Sequence, residues 1–203
     1  MKKNPSKNNK RDLELLYELG SLRFVQRTWR HFYNPDFKNL AEHHLHVAWI
    51  ALLLARLEGI KDTDKVLKMA IMHDVAESRT GDVNYIQRQY TKRNEDLGMS
   101  DIFQGTTLRN EFISLWEEYK EMKSKEAQVV KDADMLDVDM ELKEQEAKGV
   151  HLRQEWKKSR DFVFKHNLYT KSAKKLWKLV QKSNPHDWHR NSRNRLTAGD
   201  WRS

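Results

Sequence analysis

The sequence of 203 residues contains no cysteine. That excludes disulfides, zinc–thiolate centres and thiol nucleophiles, so any metal rests on histidine and carboxylate ligands, which favours hydrolysis over redox chemistry. No apolar run approaches the length of a membrane span, and basic residues 1–11 lack the apolar core of a signal peptide. A soluble, cytoplasmic protein without membrane attachment is therefore expected. There is also no internal repeat, no glycine-rich phosphate loop and no alternating strand pattern. The chain reads as all-α, with six or more helices around one core.

With 38% apolar residues, one sizeable core is a better expectation than two small domains. The divisions expected are a basic disordered tail over 1–11, a compact domain over 12–184 and a basic C-terminal tail over 185–203. Lysine and arginine number 38 against 30 aspartates and glutamates, a formal net charge of +8. Such a balance suits an anionic partner, either a phosphate ester or a nucleic acid. Much of the excess lies in the first eleven residues and beyond Arg153, as a diffuse solvated surface would have it.

Leu13, Leu16, Tyr17, Leu19, Leu22 and Val25 recur at helical spacing and predict an amphipathic first helix, with Arg23, Arg27 and Arg30 along it. Leu40 to Glu58 is the most hydrophobic helix and carries Glu42, His43, His44 and His46 in its first turns. His43 shares a face with Val47, Ile50 and Leu54, and His44 with Ala48, Ala51 and Ala55, so periodicity leaves both as candidate ligands. The next helical run ends in Met72-His73-Asp74-Val75-Ala76-Glu77, with Gly81 as its stop and Asp82 after it. Glu77 lies three and four residues beyond the His73-Asp74 dyad, a good placement for an acid or base. Asp82 is placed to cap the amides of Asn84 and Tyr85.

Residues 91–107 read as a polar loop, a possible lid. Phe112, Ile113, Leu115, Trp116 and Tyr119 form an aromatic stripe suited to packing. In the helix from Glu126 to about Lys148, Lys131 to Asp139 is crowded with carboxylates, most of them expected to face water. Asp134, between Val130 and Val138 on an apolar stripe, is costly unless paired or bound to a metal; Asp137 is the alternative. Leu152 to Gln181 predicts two more amphipathic helices, with Phe162 and Trp156 among the core. His186, Trp188, His189 and Trp201 fall in the tail and are assigned no chemistry.

A histidine, a His-Asp dyad and a distal aspartate on separate helices, in this order, resemble the metal-binding pattern of the HD-domain phosphohydrolases. Leu16-Tyr17-Glu18-Leu19-Gly20-Ser21-Leu22-Arg23, Arg27-Thr28-Trp29, Ala41-Glu42-His43, His73-Asp74-Val75-Ala76-Glu77 and Thr80-Gly81-Asp82 are similar to the five-prime deoxynucleotidase branch, over about Asp12 to Gln145. The resemblance implies a single HD-type helical domain. It selects His43 over His44, and the Lys-x-Ala-Asp motif selects Asp134, giving His43, His73, Asp74 and Asp134 as ligands of one divalent transition metal ion (Mn2+, Co2+, Fe2+ or Ni2+). It also implies Glu77 as proton donor, Arg27 as phosphate ligand, Asp82 as the carboxylate holding the deoxyribose hydroxyl, and Trp29 or Thr28 beside the sugar, Trp29 being preferred. His46 departs from the arginine or glutamine common in relatives. The implied activity is hydrolysis of deoxyribonucleoside 5'-monophosphates by a homodimer. The competing expectations are an HD hydrolase for another nucleotide or phosphoester, with extra basic side chains at the mouth, and a non-catalytic nucleic-acid-binding module.

Overall fold

The computed structural model describes residues 5–32 and 36–190, with side chains from residue 9 onward. Helices follow one another as α1 (Pro5–Gly20), α2 (Leu40–Leu57), α3 (Thr63–Met72), α4 (Glu77–Thr80), α5 (Glu95–Phe103) and α6 (Arg109–Glu121). The chain then continues through α7 (Lys125–Ala147), α8 (Leu152–Glu155), α9 (Lys157–His166), α10 (Lys171–Lys182) and α11 (Asp187–Arg190). No strand occurs among the described residues; one isolated bridge pairs Gln26 with Asn39. None of the helices is long and apolar enough to cross a membrane. The all-α expectation holds.

Local chemistry sets the helix starts. Asn39 Oδ1 accepts from Glu42 N at 3.0 Å while Glu42 Oε2 accepts from Asn39 N at 2.9 Å, a reciprocal cap that opens α2. Asp62, Asn94, Ser124 and Thr170 each accept a backbone N–H three residues on and open α3, α5, α7 and α10. The central layer is α2 lying against α3 and α7. Val47, Leu54, Met69, Met72, Val130 and Leu136 are excluded from water there, each contributing about 1.5–3 kcal/mol of burial. The stripe on α6 packs inward as expected through Phe112, Leu115, Trp116 and Tyr119.

Several expectations are corrected. Helix α1 starts at Pro5, inside the segment read as a disordered tail. Arg11 holds it down, donating to the end carbonyls of α5 at Ile102 O (2.8 Å) and Gln104 O (3.0 Å), and Asp12 accepts from Thr107 N at 2.7 Å. That docking also fixes the roll of the helix. Leu15, one turn on from Arg11, is buried, as is Leu22 in the short turn after the helix, whereas Leu13, Leu16 and Tyr17 are exposed. Residues 1–4, and Trp201 with the rest of 191–203, lie outside the described residues; of the C-terminal tail, Asp187–Arg190 form a helical turn.

The stretch read as a polar loop contains α5, because Met99, Ile102 and Phe103 supply a buried face that the surrounding polar residues mask in the sequence. Phe162 on α9 is 57% exposed rather than core. The carboxylates of α7 do not face water either: Asp132, Asp134, Asp137 and Asp139 are all buried. Helix α7 is enclosed by α2, α3, α6, α8 and α10, and donors on other elements meet most of these carboxylates. Asp139 pairs with Arg160 Nη2 at 2.6 Å. Asp132 accepts from Tyr169 N (2.7 Å), Thr170 N (2.9 Å) and Thr170 Oγ1 (2.7 Å), tying α7 to the start of α10. Asp132→Ala leaves three donors without their acceptor and is expected to cost roughly 3 kcal/mol in urea denaturation.

Candidate active site

The helical run that carries the dyad is not continuous. Helix α3 stops at Met72, residues 73–76 form turns, and α4 begins at Glu77. The backbone stays right-handed through these turns, so His73 and Asp74 still splay by about 100° and face a notch between this segment and its neighbours. There they meet His43 from α2 and Asp134 from α7. One ligand atom from each of the four residues lies within 4.8 Å of the others, the one such group found among the described residues. His43 Nε2 stands 3.2 Å from His73 Nε2, 3.4 Å from Asp134 Oδ1 and 3.6 Å from Asp74 Oδ2.

The donor set fits a cation. His73 Nδ1 donates to Ala70 O at 2.8 Å and His43 Nδ1 donates to Asp137 Oδ2 at 2.6 Å, which leaves both Nε2 atoms to face each other as lone pairs. Two imidazole lone pairs and two carboxylates converging in a buried space need positive charge among them. Without an ion, a proton on His43 Nε2 stands in for that charge: although burial and Arg27 oppose it, the carboxylates of Asp134, Asp137 and Asp74 push His43 up to about 10. Burial likewise opposes ionisation of Asp74, and His73 and His43 hold it well below the usual carboxylate range. His44, the alternative from periodicity, lies beside the set with its ring 4.8 Å from that of His73. Burial and the neighbouring His73 keep it neutral.

A cavity of about 380 Å³ opens over His73, Asp74 and Asp134, with His43 buried behind them. Arg27, 7% exposed, enters it from the segment after α1, with Nη1 3.6 Å from Asp74 Oδ2 and 3.4 Å from Asp82 Oδ2. Asp82 Oδ2 accepts from Thr28 N at 3.0 Å, so it braces the Arg27 segment and caps no amide of its own. Asn84 is the cap, accepting from Ile86 N and Gln87 N. Glu77 lines the cavity, buried; burial, then Asp74 and Asp82, push its carboxyl up to about 9 against Arg93 and Arg27. Trp29 lines it too, its ring 5.0 Å from that of Trp156. Three buried polar atoms of these cavity residues have no partner: Trp29 Nε1, Asn84 Nδ2 and Glu77 Oε2.

The structure therefore brings together Arg27, Trp29, His43, His73, Asp74, Glu77, Asp82 and Asp134. Sequence reasoning missed Arg93, Asn84 and Arg160, which lie in stretches read as loop, short helical turn and distant helix. Asp137 had been an alternative to Asp134; it stands instead behind His43. Lys38 Nζ and His46 also meet its carboxylate, the lysine at 3.0 Å.

The HD domain family model matches residues 19–181. The chain belongs to the HD domain family. Among relatives of this HD domain protein, the 5'-deoxynucleotidase HDDC2 of Homo sapiens is 30% identical over 142 residues, covering 66% of this chain and 68% of its own. The 5'-deoxynucleotidase HDDC2 of Dictyostelium discoideum is 26% identical over 182 residues, 81% and 95% of the two chains. A solved structure from Magnetospirillum magnetotacticum, described as a predicted metal-dependent phosphohydrolase, superimposes with a TM-score of 0.71 over 90% of this chain and 95% of its own. At 19% identity that likeness is one of fold.

One turn beyond Asp137, Glu141 accepts from Lys38 N at 2.7 Å, and burial pushes its carboxyl from the ordinary 4.5 up to about 7. Between those values the folded chain keeps a proton that the unfolded chain has lost, so stability falls as pH rises through that window. Glu141→Gln removes this contribution. Urea midpoints of wild type and variant should diverge from pH 4.5 to pH 7, the wild type losing ground.

Proposed function

We propose that this HD-domain hydrolase is a metal-dependent 5'-deoxynucleotidase, releasing phosphate from deoxyribonucleoside 5'-monophosphates. The observation that carries the reading is one cavity lined by three members of a four-ligand cluster, a buried arginine, a buried carboxyl with an unpartnered oxygen and a further carboxylate, the fourth ligand, His43, being buried behind it. The names of the relatives support the substrate class.

His43, His73, Asp74 and Asp134 would hold the divalent ion, and their mixed nitrogen and oxygen donors suit Mn2+, Co2+, Fe2+ or Ni2+. Such an ion supplies an acidified water and neutralises phosphate charge. Arg27 exchanges its carboxylate neighbours for phosphate oxygens, which its planar guanidinium binds in pairs. Glu77, kept protonated by its surroundings, delivers that proton to the departing 5' oxygen. Asp82 accepts the sugar hydroxyl, and Trp29 lies against the sugar.

Arg93, Lys131 and Arg160 also line the cavity, each ion-paired, to Glu77, Asp134 and Asp139 respectively. Arg88 lines it as well, with its Nε donating to Val83 O at 3.0 Å and no carboxylate partner among the described residues. A cation of that kind would suit a longer phosphate chain, so nucleoside triphosphates belong in the substrate panel as the competing class.

The deciding experiment is phosphate release from deoxy- and ribonucleoside 5'-monophosphates by metal-stripped protein given one divalent ion at a time. Glu77→Gln and Asp134→Ala are each expected to lower turnover at least ~100-fold, and Asp82→Asn to narrow the preference for deoxy over ribo substrates. Wild type that takes up metal yet releases phosphate from no monophosphate would sink the reading.

The homodimer belongs to the same proposal. Leu45, Trp49, Leu53 and Leu57 repeat every fourth residue along the outer face of α2 and are 50–66% exposed. A helix apolar on its outer as well as its inner face is normally covered, and a second copy laying the same stripe across it makes a self-complementary contact. Light scattering should give twice the chain mass for wild type and the single mass for Trp49→Glu/Leu53→Glu.

A further inference from the structure

Arg93 lies between the short helical turn at Gln87–Gln89 and α5, outside every motif singled out in the sequence. Its guanidinium is tightly held. Nη1 donates to Glu77 Oε1 at 2.7 Å and to Gly81 O at 2.9 Å, while Nη2 meets Glu95 Oε1 at 2.5 Å. One nitrogen thus touches both ends of α4: the side chain that begins it and the carbonyl just past its end. Gly81 has a φ of 73°, a conformation open to glycine at little steric cost, and α4 closes there.

The contact divides the Glu77 carboxyl into two unlike oxygens. Oε1 is committed to Arg93. Oε2 is buried, has no partner and belongs to a side chain lining the cavity. A carboxyl with interchangeable oxygens rotates freely about its last torsion, since such sp³–sp² torsions are broad, and a proton on it then points in many directions. An acceptor-only clamp would draw that proton to itself. A guanidinium, which has only donors, excludes it from Oε1. The proton is left on Oε2.

We propose that Arg93 is a positioning residue for Glu77, clamping Oε1 so that Oε2 is the atom that carries the proton and meets the substrate. The inference rests on the assignment of Glu77 as proton donor made above. It adds that the orientation of this donor comes from a separate segment, the approach to α5, and that this segment is part of the catalytic apparatus without touching substrate chemistry itself. Glu95, holding Nη2, sets the guanidinium plane.

The test compares wild type, Arg93→Ala, Arg93→Lys, Glu77→Gln and the double variant Glu77→Gln/Arg93→Ala, all full-length and metal-loaded, with dAMP as substrate. Misplacing a catalytic group by about 1 Å costs on the order of 100-fold. Arg93→Ala should therefore lose about 30- to 100-fold in kcat with KM changed less than about threefold, and Arg93→Lys should recover part of the loss. Because Arg93 acts through Glu77, the double variant should be no slower than Glu77→Gln alone. An equal further loss in the Glu77→Gln background, or a raised KM with kcat unchanged, would overturn the proposal.

A crystal structure of Arg93→Lys and Arg93→Ala supplies a readout independent of turnover. The Glu77 carboxyl should leave its present position in the alanine variant and keep it in the lysine variant; a carboxyl unmoved by Arg93→Ala overturns the positioning claim. Wild type inactive on every monophosphate would instead refute the nucleotidase reading, and the crystal structures would still decide what Arg93 does to Glu77.

Discussion

Two imidazole nitrogens and two carboxylate oxygens within 4.8 Å of one another, at the inner end of a bundle, make an arrangement that water-excluded protein does not ordinarily sustain. Much of the rest of the chain can be understood as its support. Asp137 fixes the ring of His43 from behind, the carbonyl of Ala70 fixes that of His73, and Lys131 Nζ reaches Asp134 Oδ2 at 2.8 Å. Arg27 brings a permanent positive charge that Asp82, Asp74, Asp134 and Glu77 reinforce against the cost of its burial. The concentrated negative charge is therefore the attraction for a cation, and the buried carboxylates Asp132 and Asp139 are matched by donors of their own.

Precision in this arrangement comes from helix ends rather than helix middles. His73 and Asp74 stand just past the end of α3 at Met72, α4 is a single turn that presents Glu77, and the reciprocal Asn39–Glu42 cap fixes the first turn of α2 one residue before His43. Only Asp134 sits in the body of a long helix, α7, the element enclosed by the most neighbours. Short, capped elements around a rigid central one place four ligands from three parts of the chain.

The helical class was legible because α2, α3 and α6 keep a clear apolar period, and so was the convergence of His43, His73, Asp74 and Asp134, whose residue types and order carry the pattern. Other features were not. Asp132 and Asp139 looked solvated because a carboxylate advertises its charge in sequence but not the donors waiting on α9 and at the start of α10. Helix α5 was hidden because Met99, Ile102 and Phe103 stand among polar residues, with Gly98 and Gly105 interrupting the apolar period. Leu15 was missed as the core residue of α1 because the roll of that helix is set by Arg11 and Asp12, two hydrophilic residues whose partners lie more than ninety positions away. The role of Arg93 had no local signal at all, since its meaning lies in which carboxylate it meets.

Arg160, Val163 and Asn167 wall the cavity from α9 and its C-terminal end, well after the last of the metal-facing residues in the chain. The ligands, the arginine, the acid and the residues Trp29 and Asp82 all come from the first 134 residues, so this one side of the chamber alone is built from a stretch of sequence beyond α7. A change at Val163 or Asn167 can reshape the chamber while Arg160 stays bound to Asp139 and the reactive groups stay as they are. Such a wall offers a route to new preferences that leaves the costly, charge-matched centre untouched.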